Sequence, residues 1–295
     1  KGPNPTDPAG KYPVLEIRRS GTAAKWITFR AHPGHKPVVF TRNWHGIQVR
    51  GASYIVLEGL TVRGDLYGIT YNYAYAQRKN VYNPLVSANG ITVMPELWDP
   101  LFPHHVVVRN NLVYEVPGGG IVVGNADYVL VEGNTVHHTS WWSPFGKSGV
   151  SVWQSKSWDN TTGHKIFVQK NTIYDVENKI PFYALDQITD GHGIIVDDTE
   201  SSEWFPKNSP YKGKTLIWNN NVNRIGARGF NAFRSRNVDV IANRFTNTSR
   251  TPGTLKASIS VIFATNILFA ENVLDYPNHF NWESTGITST NNKLP

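Results

Sequence analysis

One pattern of apolar and polar positions recurs along the chain. It alternates apolar and polar residues, bends at a small polar residue and resumes with an apolar one. A period of two residues is that of a β-strand, and the small polar residue predicts a tight corner inside each copy. The stretches that follow the pattern are YIVLEGLTV (54–62), HVVVRNNLV (105–113), YVLVEGNTV (128–136), KIFVQKNTI (165–173), TLIWNNNVN (215–223), VDVIANRF (238–245) and NILFAENVL (266–274).

A second pattern, in which a glycine precedes an apolar-any-apolar triplet, lies between these copies. Where no insertion intervenes, successive repeats are about 22 to 30 residues long, which is typical of solenoids. Each repeat then carries at least two strands and predicts one coil of a parallel β-helix. The second pattern reads HGIQV (45–49), NGITV (89–93), GGIVV (119–123), SGVSV (148–152), HGIIV (192–196), RGFNA (228–232), ASISV (257–261) and TGITS (285–289).

Asparagine is common at the corner of the first pattern. Asn tolerates left-handed backbone angles, and its amide can bond the Asn stacked above it. We therefore expect an asparagine ladder with a structural role, and glycine replaces Asn in the earliest copy, at Gly59. The expected ladder residues are Asn111, Asn134, Asn171, Asn221, Asn243 and Asn272.

Through these G-I-x-V and V-x-V-x-x-N phrases the chain resembles the right-handed parallel β-helix families of pectate-lyase type, from about Trp26 to Thr290. The resemblance implies an all-β, single-domain, right-handed parallel β-helix of about eight coils over residues 1–295, with an irregular N-terminal segment at 1–13. That fold carries polysaccharide lyases, glycoside hydrolases, epimerases, tailspikes and adhesins. In such families a groove along the G-I-x-V strands commonly binds the sugar chain.

Long insertions adjoin the G-I-x-V strands, at 70–88, 94–104, 140–147, 154–164, 177–191 and 199–213. Insertions on one edge of a solenoid usually build its binding face, and flat aromatic rings stack on pyranose rings. The alternative for each aromatic residue is packing of a loop onto the coils. The expected substrate-binding residues are Trp141, Trp142, Trp153, Trp158, Trp204 and Asn231.

The densest polar run of the chain is TDGHGIIVDDT (189–199), in the central coil. Strand alternation turns Asp197 toward the groove and leaves Asp198 at the strand exit. Neighbouring strands lie about 4.8 Å apart, so side chains in one row are within reach of each other. Aligning the coils by their glycines predicts three rows: Ser148, His192 and Arg228; Trp153, Asp197 and Phe233; Gln154, Asp198 and Arg234.

These rows suit β-elimination of a uronate polymer, which must neutralise a carboxylate, remove the C5 proton and protonate the leaving oxygen. An arginine or lysine would neutralise the uronate carboxylate or abstract the C5 proton, and His192 would act as base or acid. A calcium ion held by Asp190, Asp197 and Asp198 is one source of the neutralising charge, and the arginines are the other. The expected catalytic residues are Lys147, Asp190, His192, Asp197, Asp198, Arg228 and Arg234.

Two other classes of function remain open. A glycoside hydrolase would pair Asp197 or Asp198 with a second carboxylate from Asp190, Glu177, Asp186 or Glu203. The DGHG and DD pieces are similar to those of polygalacturonase-like hydrolases, in which the Asp pair and the Gly-His-Gly lie on separate coils. A non-catalytic glycan-binding module of tailspike or adhesin type is the third class.

Charge and composition indicate the chemical class of the binding partner. The chain has 29 Lys+Arg against 22 Asp+Glu, a net charge of +7, which favours an anionic partner. The basic residues are scattered and form no nucleic-acid-binding motif, so an acidic polysaccharide is expected rather than nucleic acid. No apolar run reaches the roughly 18 residues of a membrane span. We expect a secreted, periplasmic or cell-surface enzyme, with a monomer favoured and elimination as the first choice of reaction.

Overall fold

The computed structural model describes residue 10 and residues 12–95, 101–201 and 209–295. Its strands, numbered β1 to β26 in chain order, form three parallel sheets. Between them lie a 3-10 turn at Leu66–Gly68 and two short helices, α1 (Tyr71–Ala76) and α2 (Pro84–Ser87). The helices in this part of the chain are too short to span a bilayer.

The G-I-x-V phrases build sheet 1, which has nine strands. They are β1 (Leu15–Ile17), β4 (His45–Arg50), β7 (Asn89–Met94), β10 (Ile121–Gly124), β13 (Val150–Trp153), β16 (Ile194–Asp197), β19 (Phe230–Phe233), β22 (Ile259–Ile262) and β25 (Phe280–Trp282).

The first half of the other pattern builds sheet 2, also of nine strands. They are β2 (Ile27–Arg30), β5 (Ile55–Glu58), β8 (His104–Arg109), β11 (Asp127–Glu132), β14 (His164–Gln169), β17 (Lys214–Trp218), β20 (Arg236–Ile241), β23 (Thr265–Ala270) and β26 (Thr285–Thr290).

The residues after the asparagine corner build sheet 3, of eight strands. They are β3 (Val38–Phe40), β6 (Thr61–Arg63), β9 (Leu112–Val116), β12 (Thr135–Thr139), β15 (Thr172–Val176), β18 (Asn221–Ile225), β21 (Arg244–Thr246) and β24 (Val273–Leu274).

The chain visits the three sheets in turn, and each strand pairs in parallel with the strand one coil away. Parallel crossover connections are right-handed in nearly all proteins. The expected right-handed parallel β-helix is therefore confirmed, and eight to nine strands per sheet agree with about eight coils.

The core lies inside the coils, where apolar residues of all three sheets stack on their counterparts one coil away. Ile194 and Val196 of β16 are fully buried, as are most inward positions of the other strands. The glycine of the G-I-x-V phrases is needed because a side chain at that position would point inward. A Cβ on Gly193 would collide with the Val222 side chain and with the backbone of Gly229.

An asparagine ladder fills the corner between sheets 2 and 3, as expected. In the middle rung the Asn220 side-chain oxygen accepts hydrogen bonds from the Asn171 backbone N–H and side-chain amide, at 3.0 and 2.9 Å. The backbone N–H and side-chain amide of Asn220 in turn donate to the Asn243 side-chain oxygen, each at 2.9 Å. The ladder residues in the described chain are Asn111, Asn134, Asn171, Asn220, Asn243, Asn272 and Asn292.

The expectation of Asn221 in this ladder is wrong, because Asn221 is the exposed first residue of β18. The ladder position lies two residues before the first inward apolar residue of sheet 3. Val222 is that residue in this coil, so the position falls on Asn220 within the run of three asparagines.

The insertions lie at both edges of the sheet 1 strands, as expected. On the edge entered from sheet 3, a second small core of Leu66, Ala74, Val86, Trp142 and Ile180 joins three of them. These insertions therefore form one wall rather than separate loops.

On the opposite edge, a buried ion pair fastens the loops to the coils. Lys165 Nζ and the Tyr211 hydroxyl donate to the two oxygens of Asp127, each at 2.7 Å. The backbone N–H of Trp158 also donates to Asp127, at 2.7 Å. The side chains of Lys165 and Asp127 have no exposed surface, so this network is part of the loop framework.

Candidate functional site

The outward side of sheet 1 forms the floor of a groove between these walls. The observed register pairs Trp153 with Asp197 and Asp197 with Phe233, as the glycine alignment predicts. Ser151, Ile195 and Asn231 form the neighbouring outward row. Asp197 is half-buried and lies between two aromatic side chains.

The corner that follows each of these strands has a left-handed backbone. Gln154, Asp198 and Arg234 have φ of 47°, 51° and 46°. The N–H of Asp198 donates to the Phe233 carbonyl at 2.9 Å, which continues the sheet by one residue. This turn separates the two adjacent aspartates, since Asp198 is 2% exposed and accepts a hydrogen bond from the Gln154 amide at 2.8 Å. Asp197 remains the groove-facing carboxyl of the two.

Asp190 enters the same region from the insertion before β16. Its carboxyl accepts a hydrogen bond from the Thr189 hydroxyl at 2.7 Å and packs against Gly146, where a Cβ would lie 2.5 Å from the carboxyl oxygen. The N–H of Gly191 donates to the Lys147 carbonyl at 3.0 Å, so the two insertions that carry Lys147 and Asp190 are held together.

His192 is buried beside Asp190. Its Nδ1 accepts the backbone N–H of Arg228 at 3.2 Å, which assigns the proton to Nε2. Nε2 lies 3.9 Å from the Asp190 carboxyl. Burial, followed by the charge of Arg228, lowers the pKa of His192 well below its ordinary value, so the imidazole is neutral.

The two groove carboxyls have raised pKa values. Burial raises the pKa of Asp190 to about 6, against the lowering effect of Thr189 and Lys147. Burial, then the charges of Asp190 and Asp198, raise the pKa of Asp197 to about 8. Near neutral pH, Asp197 is mainly protonated and Asp190 mainly ionised, which is the condition of an acid and base pair.

Basic groups surround this pair. Burial lowers the pKa of Lys147, whose ammonium group interacts with both Asp190 and Asp197. Arg228 is 8% exposed, and its Nε has no hydrogen-bond partner among the described residues. Two carboxyls and two cations therefore interact in this part of the groove.

The expected calcium site is not formed by these side chains. In the described part of the chain, no three His, Asp or Glu side chains lie together in a way that could hold a metal ion. Asp198 is also turned toward Gln154 by its left-handed backbone. The proposal of Asp190, Asp197 and Asp198 as calcium ligands is therefore withdrawn.

The other carboxylates considered for hydrolysis lie apart from the groove carboxyls. Glu177 accepts a hydrogen bond from Thr251 at 3.1 Å, at the sheet 3 side of the molecule. The Asp186 side chain is 58% exposed and lies 3.6 Å from Lys79. Glu203 falls outside the described residues. Asp190 remains as the partner of Asp197.

Two of the expected sugar-binding tryptophans do not face the groove. Trp142 is 7% exposed and donates to the Leu66 carbonyl at 2.8 Å, within the small core of the wall. Trp141 donates to the Asp175 carbonyl and lies against Lys179, in a cavity of about 250 Å³ on sheet 3. Loop packing fixes both rings outside the sheet 1 groove, so neither is placed to bind a substrate there.

The remaining candidates have different surroundings. The Trp153 ring packs over Gly124 of the preceding coil, on the groove floor. Trp158 is 51% exposed and stacks on His104 with ring centroids 3.7 Å apart. Asn231 is 5% exposed and accepts a hydrogen bond from Ser260 at 2.6 Å. Trp204 lies outside the described residues.

The row of polar side chains also continues toward the N-terminus, through residues that were not among the predicted site residues. His45 pairs with Asn89 across neighbouring strands, and their side-chain nitrogens are 3.4 Å apart. Burial, then the charge of Lys147, lowers the pKa of His45 to about 3. The signal was available, because His45, Asn89 and His192 each precede the glycine of a G-I-x-V phrase.

No protein-family profile and no curated protein sequence matches this chain. Among solved structures, it is similar to an alginate lyase from Paenibacillus sp., with 14% identity and a TM-score of 0.43, over 95% of this chain and 88% of that one. A lacto-N-biosidase from Eubacterium ramulus has 12% identity and a TM-score of 0.43, over 95% of this chain and 60% of that one. A surface protein and adhesin of Streptococcus pneumoniae has 13% identity and a TM-score of 0.38, over 96% and 64%.

This chain spans less than two thirds of the length of the last two proteins. Similarities this distant assign no activity, and the fold rests on the strand pairing itself.

Proposed function

We propose that the protein is a carbohydrate-active enzyme that binds an acidic polysaccharide along the sheet 1 groove and hydrolyses a glycosidic bond. The observation that carries the proposal is the pair of carboxyls, Asp190 of the insertion and Asp197 of the groove floor, both of which interact with Lys147. Glycoside hydrolysis uses two carboxyls in different protonation states.

The roles follow from the surroundings of each group. Asp197 donates its proton to the glycosidic oxygen as the bond from that oxygen to the sugar carbon breaks. Asp190 either removes a proton from the attacking water or attacks the sugar carbon itself. His192 Nε2 lies 3.9 Å from the Asp190 carboxyl, so the neutral imidazole is a close polar neighbour of that group.

An acidic substrate fits the cations of the site. The Arg228 guanidinium has an Nε that finds no partner in the described residues, and Lys147 lies beside both carboxyls. A uronate carboxylate would satisfy these donors, since charge-assisted hydrogen bonds favour this pairing. The net charge of +7 favours the same class of polymer.

Elimination is the second candidate, and a specific observation favours it. Burial lowers the pKa of Lys147, which makes its amine a better proton acceptor near neutral pH. Arg228 would neutralise the uronate carboxylate, and protonated Asp197 would supply the proton to the leaving oxygen. Hydrolysis is preferred because the two carboxyls then have distinct roles, whereas elimination leaves Asp190 without one.

The reaction is tested with purified protein on pectate, alginate, hyaluronan, chondroitin sulfate and a neutral xylan. New reducing ends without ultraviolet absorbance of an unsaturated uronate indicate hydrolysis, and new reducing ends with that absorbance indicate elimination. Retention of a glycan without cleavage indicates a binding module and contradicts the proposed enzyme.

Variants of the groove carboxyls test the mechanism. We expect Asp190→Asn and Asp197→Asn each to lower kcat by about 100-fold or more, because each removes a proton-transfer group. The matched control is Asp186→Asn, which changes an exposed aspartate in the same insertion. Near-normal kcat in both groove variants, with thermal unfolding unchanged, would place the chemistry elsewhere.

A further inference from the structure

A group of aromatic side chains lies on the outward side of sheet 1, beyond the reaction centre toward the C-terminal coils. We call Phe233, Phe263 and Trp282 the aromatic platform. The ring centroids of Phe233 and Phe263 are 6.3 Å apart, and those of Phe263 and Trp282 are 5.7 Å apart. The three rings therefore form one continuous surface.

The outer rings of the platform are exposed and held in place. Phe263 is 36% exposed and Trp282 is 52% exposed. The Trp282 indole N–H donates to the Glu283 carboxyl at 3.1 Å, and the Phe263 backbone N–H donates to the Trp282 carbonyl at 2.9 Å. A fixed ring loses little freedom when a ligand stacks on it.

The backbone at Phe263 does not explain the presence of this ring. Phe263 has φ of 51°, in the left-handed corner where Asn125 has φ of 46° in an earlier coil. Asn and Gly suit that region, whereas a bulky residue is disfavoured there. A phenylalanine in this corner thus gains no support from turn geometry.

The platform is aligned with the groove carboxyls. Phe233 pairs directly with Asp197, and the register continues through Ile262 to Trp282. Each coil adds about 4.8 Å, so Trp282 lies about 14 Å beyond Asp197 along the groove. One coil is comparable in length to one sugar ring.

The wall on the sheet 2 side of the groove is short where the platform lies. Only Arg234 and Ser235 connect β19 to β20, and only Phe263 and Ala264 connect β22 to β23. The corresponding connection after β13 runs from residue 154 to residue 163. A long chain can therefore leave the walled centre over the exposed rings.

We propose that the aromatic platform is a distal binding site that stacks sugar rings two to three units from the bond cleaved at Asp197. The inference rests on the proposed function and extends it to a preference for long uronate-containing chains. The Arg234 guanidinium lies 5.1 Å from the Phe233 ring centre and 5.7 Å from that of Phe263. A ring that stacks there would bring its carboxylate near this cation.

Binding is measured separately from cleavage in the Asp197→Asn background, by affinity electrophoresis in gels that contain pectate, alginate, hyaluronan or chondroitin sulfate. We expect at least one polymer to retard this protein. Adding Phe263→Ala and Trp282→Ala should weaken binding of that polymer about five- to tenfold, the effect of losing aromatic stacking. Trp282→Phe should retain most of the binding.

Trp26→Ala is the matched control, because Trp26 is 40% exposed and packs against Tyr54 and His105 beside sheet 2, away from sheet 1. Unchanged retardation of the platform variants, or no retardation of any of these proteins by any polymer, would overturn the proposal that the platform binds the polymer. Failure of the proposed function looks different: the polymer is bound through the platform, but the wild-type protein cleaves none of the substrates. If cleavage occurs, an unchanged KM of the platform variants on polymer would also overturn the inference.

Discussion

At the residue scale, two adjacent aspartates have different surroundings. Asp197 ends an extended strand and faces the groove, whereas Asp198 adopts a left-handed backbone and is buried against Gln154. Burial raises the pKa of Asp197, and only Asp197 of the two is placed to meet a ligand. Backbone geometry, rather than composition, therefore selects the reactive residue.

The opposite protonation states of the pair predict a bell-shaped pH profile. Asp190 must lose its proton to act as base, and its pKa is raised to about 6, so activity rises through that pH. Asp197 must keep its proton to act as acid, and its pKa is raised to about 8, so activity falls above that pH. We expect kcat/KM to be greatest between these two values.

Initial rates across the pH range check this prediction, and stability must be followed in parallel. An activity that keeps rising at alkaline pH would fit Lys147 as base in elimination and contradict the assigned acid.

At the element scale, the asparagine ladder stabilises the corners of the coils. Asn220→Ala would leave the backbone N–H and side-chain amide of Asn171 without their acceptor in a buried place. Each unsatisfied buried group costs about 1–3 kcal/mol. We expect Asn220→Ala to lower the free energy of unfolding by at least about 2 kcal/mol.

The control for the ladder is the next residue. Asn221 is exposed, and Asn221→Ala should change the free energy of unfolding by less than about 0.5 kcal/mol. Urea unfolding of both variants decides the assignment, and equal losses would show that the ladder residue has not been identified.

The buried ion pair predicts a strong dependence of stability on Lys165. Lys165→Met removes one partner of Asp127 and leaves a buried carboxylate, which costs about 3–5 kcal/mol. Asp127→Asn combined with Lys165→Met should recover part of that loss, because the buried carboxylate is then removed and Asp159, the other partner of Lys165, is 41% exposed. A double-mutant cycle measured by thermal or urea unfolding gives the coupling.

Lys170→Met is the matched control for this pair. Lys170, on the same coil as Lys165, lies 3.1 Å from Glu132 of the preceding coil, and its side chain is 48% exposed. Exposed pairs contribute at most about 1 kcal/mol. Equal effects of the two lysine variants would mean that the network around Asp127 does not hold the loops.

At the scale of the whole molecule, the positive charge predicts a salt-dependent interaction with substrate. Raising the ionic strength from about 0.1 to about 1 M shortens the Debye length from about 10 to about 3 Å. We expect KM for an acidic polymer to rise several-fold, with kcat little changed. Arg228→Gln should raise KM at low salt and flatten this dependence.

Lys36→Gln, which changes an exposed lysine outside the site, should preserve the salt dependence of KM. The measurement is the initial rate over a range of polymer concentrations at each ionic strength. A KM that is independent of salt would argue against recognition of an acidic polymer.

Periodicity was sufficient to predict the coils and the register of the groove floor. Inward apolar residues recur at every strand, and the inward glycine fixes the alignment of Trp153, Asp197 and Phe233. Three successive asparagines fit the corner equally well from sequence alone. Identifying the ladder residue among them also requires knowing that Val222 is the first inward residue of the next strand.

The insertions could not be predicted in the same way, since they have no repeat to align. Nothing local distinguishes Trp142, which packs inside a wall, from an exposed ring. The contact of Lys165 with Tyr211 and Asp127 joins three distant segments and leaves no short motif. Side-chain directions in irregular segments depend on which neighbours the coils bring to them.

The division between floor and walls has a consequence for how such a protein can diversify. The strands that carry Asp197 and Phe233 are fixed by pairing with their neighbours, while the insertions join them only at their ends. Exchanging or shortening an insertion would change access to the groove and leave the spacing of the floor residues intact. Selectivity for a polymer can therefore be changed by exchanging the insertions that carry neither Asp190 nor Lys147, without rebuilding the catalytic pair.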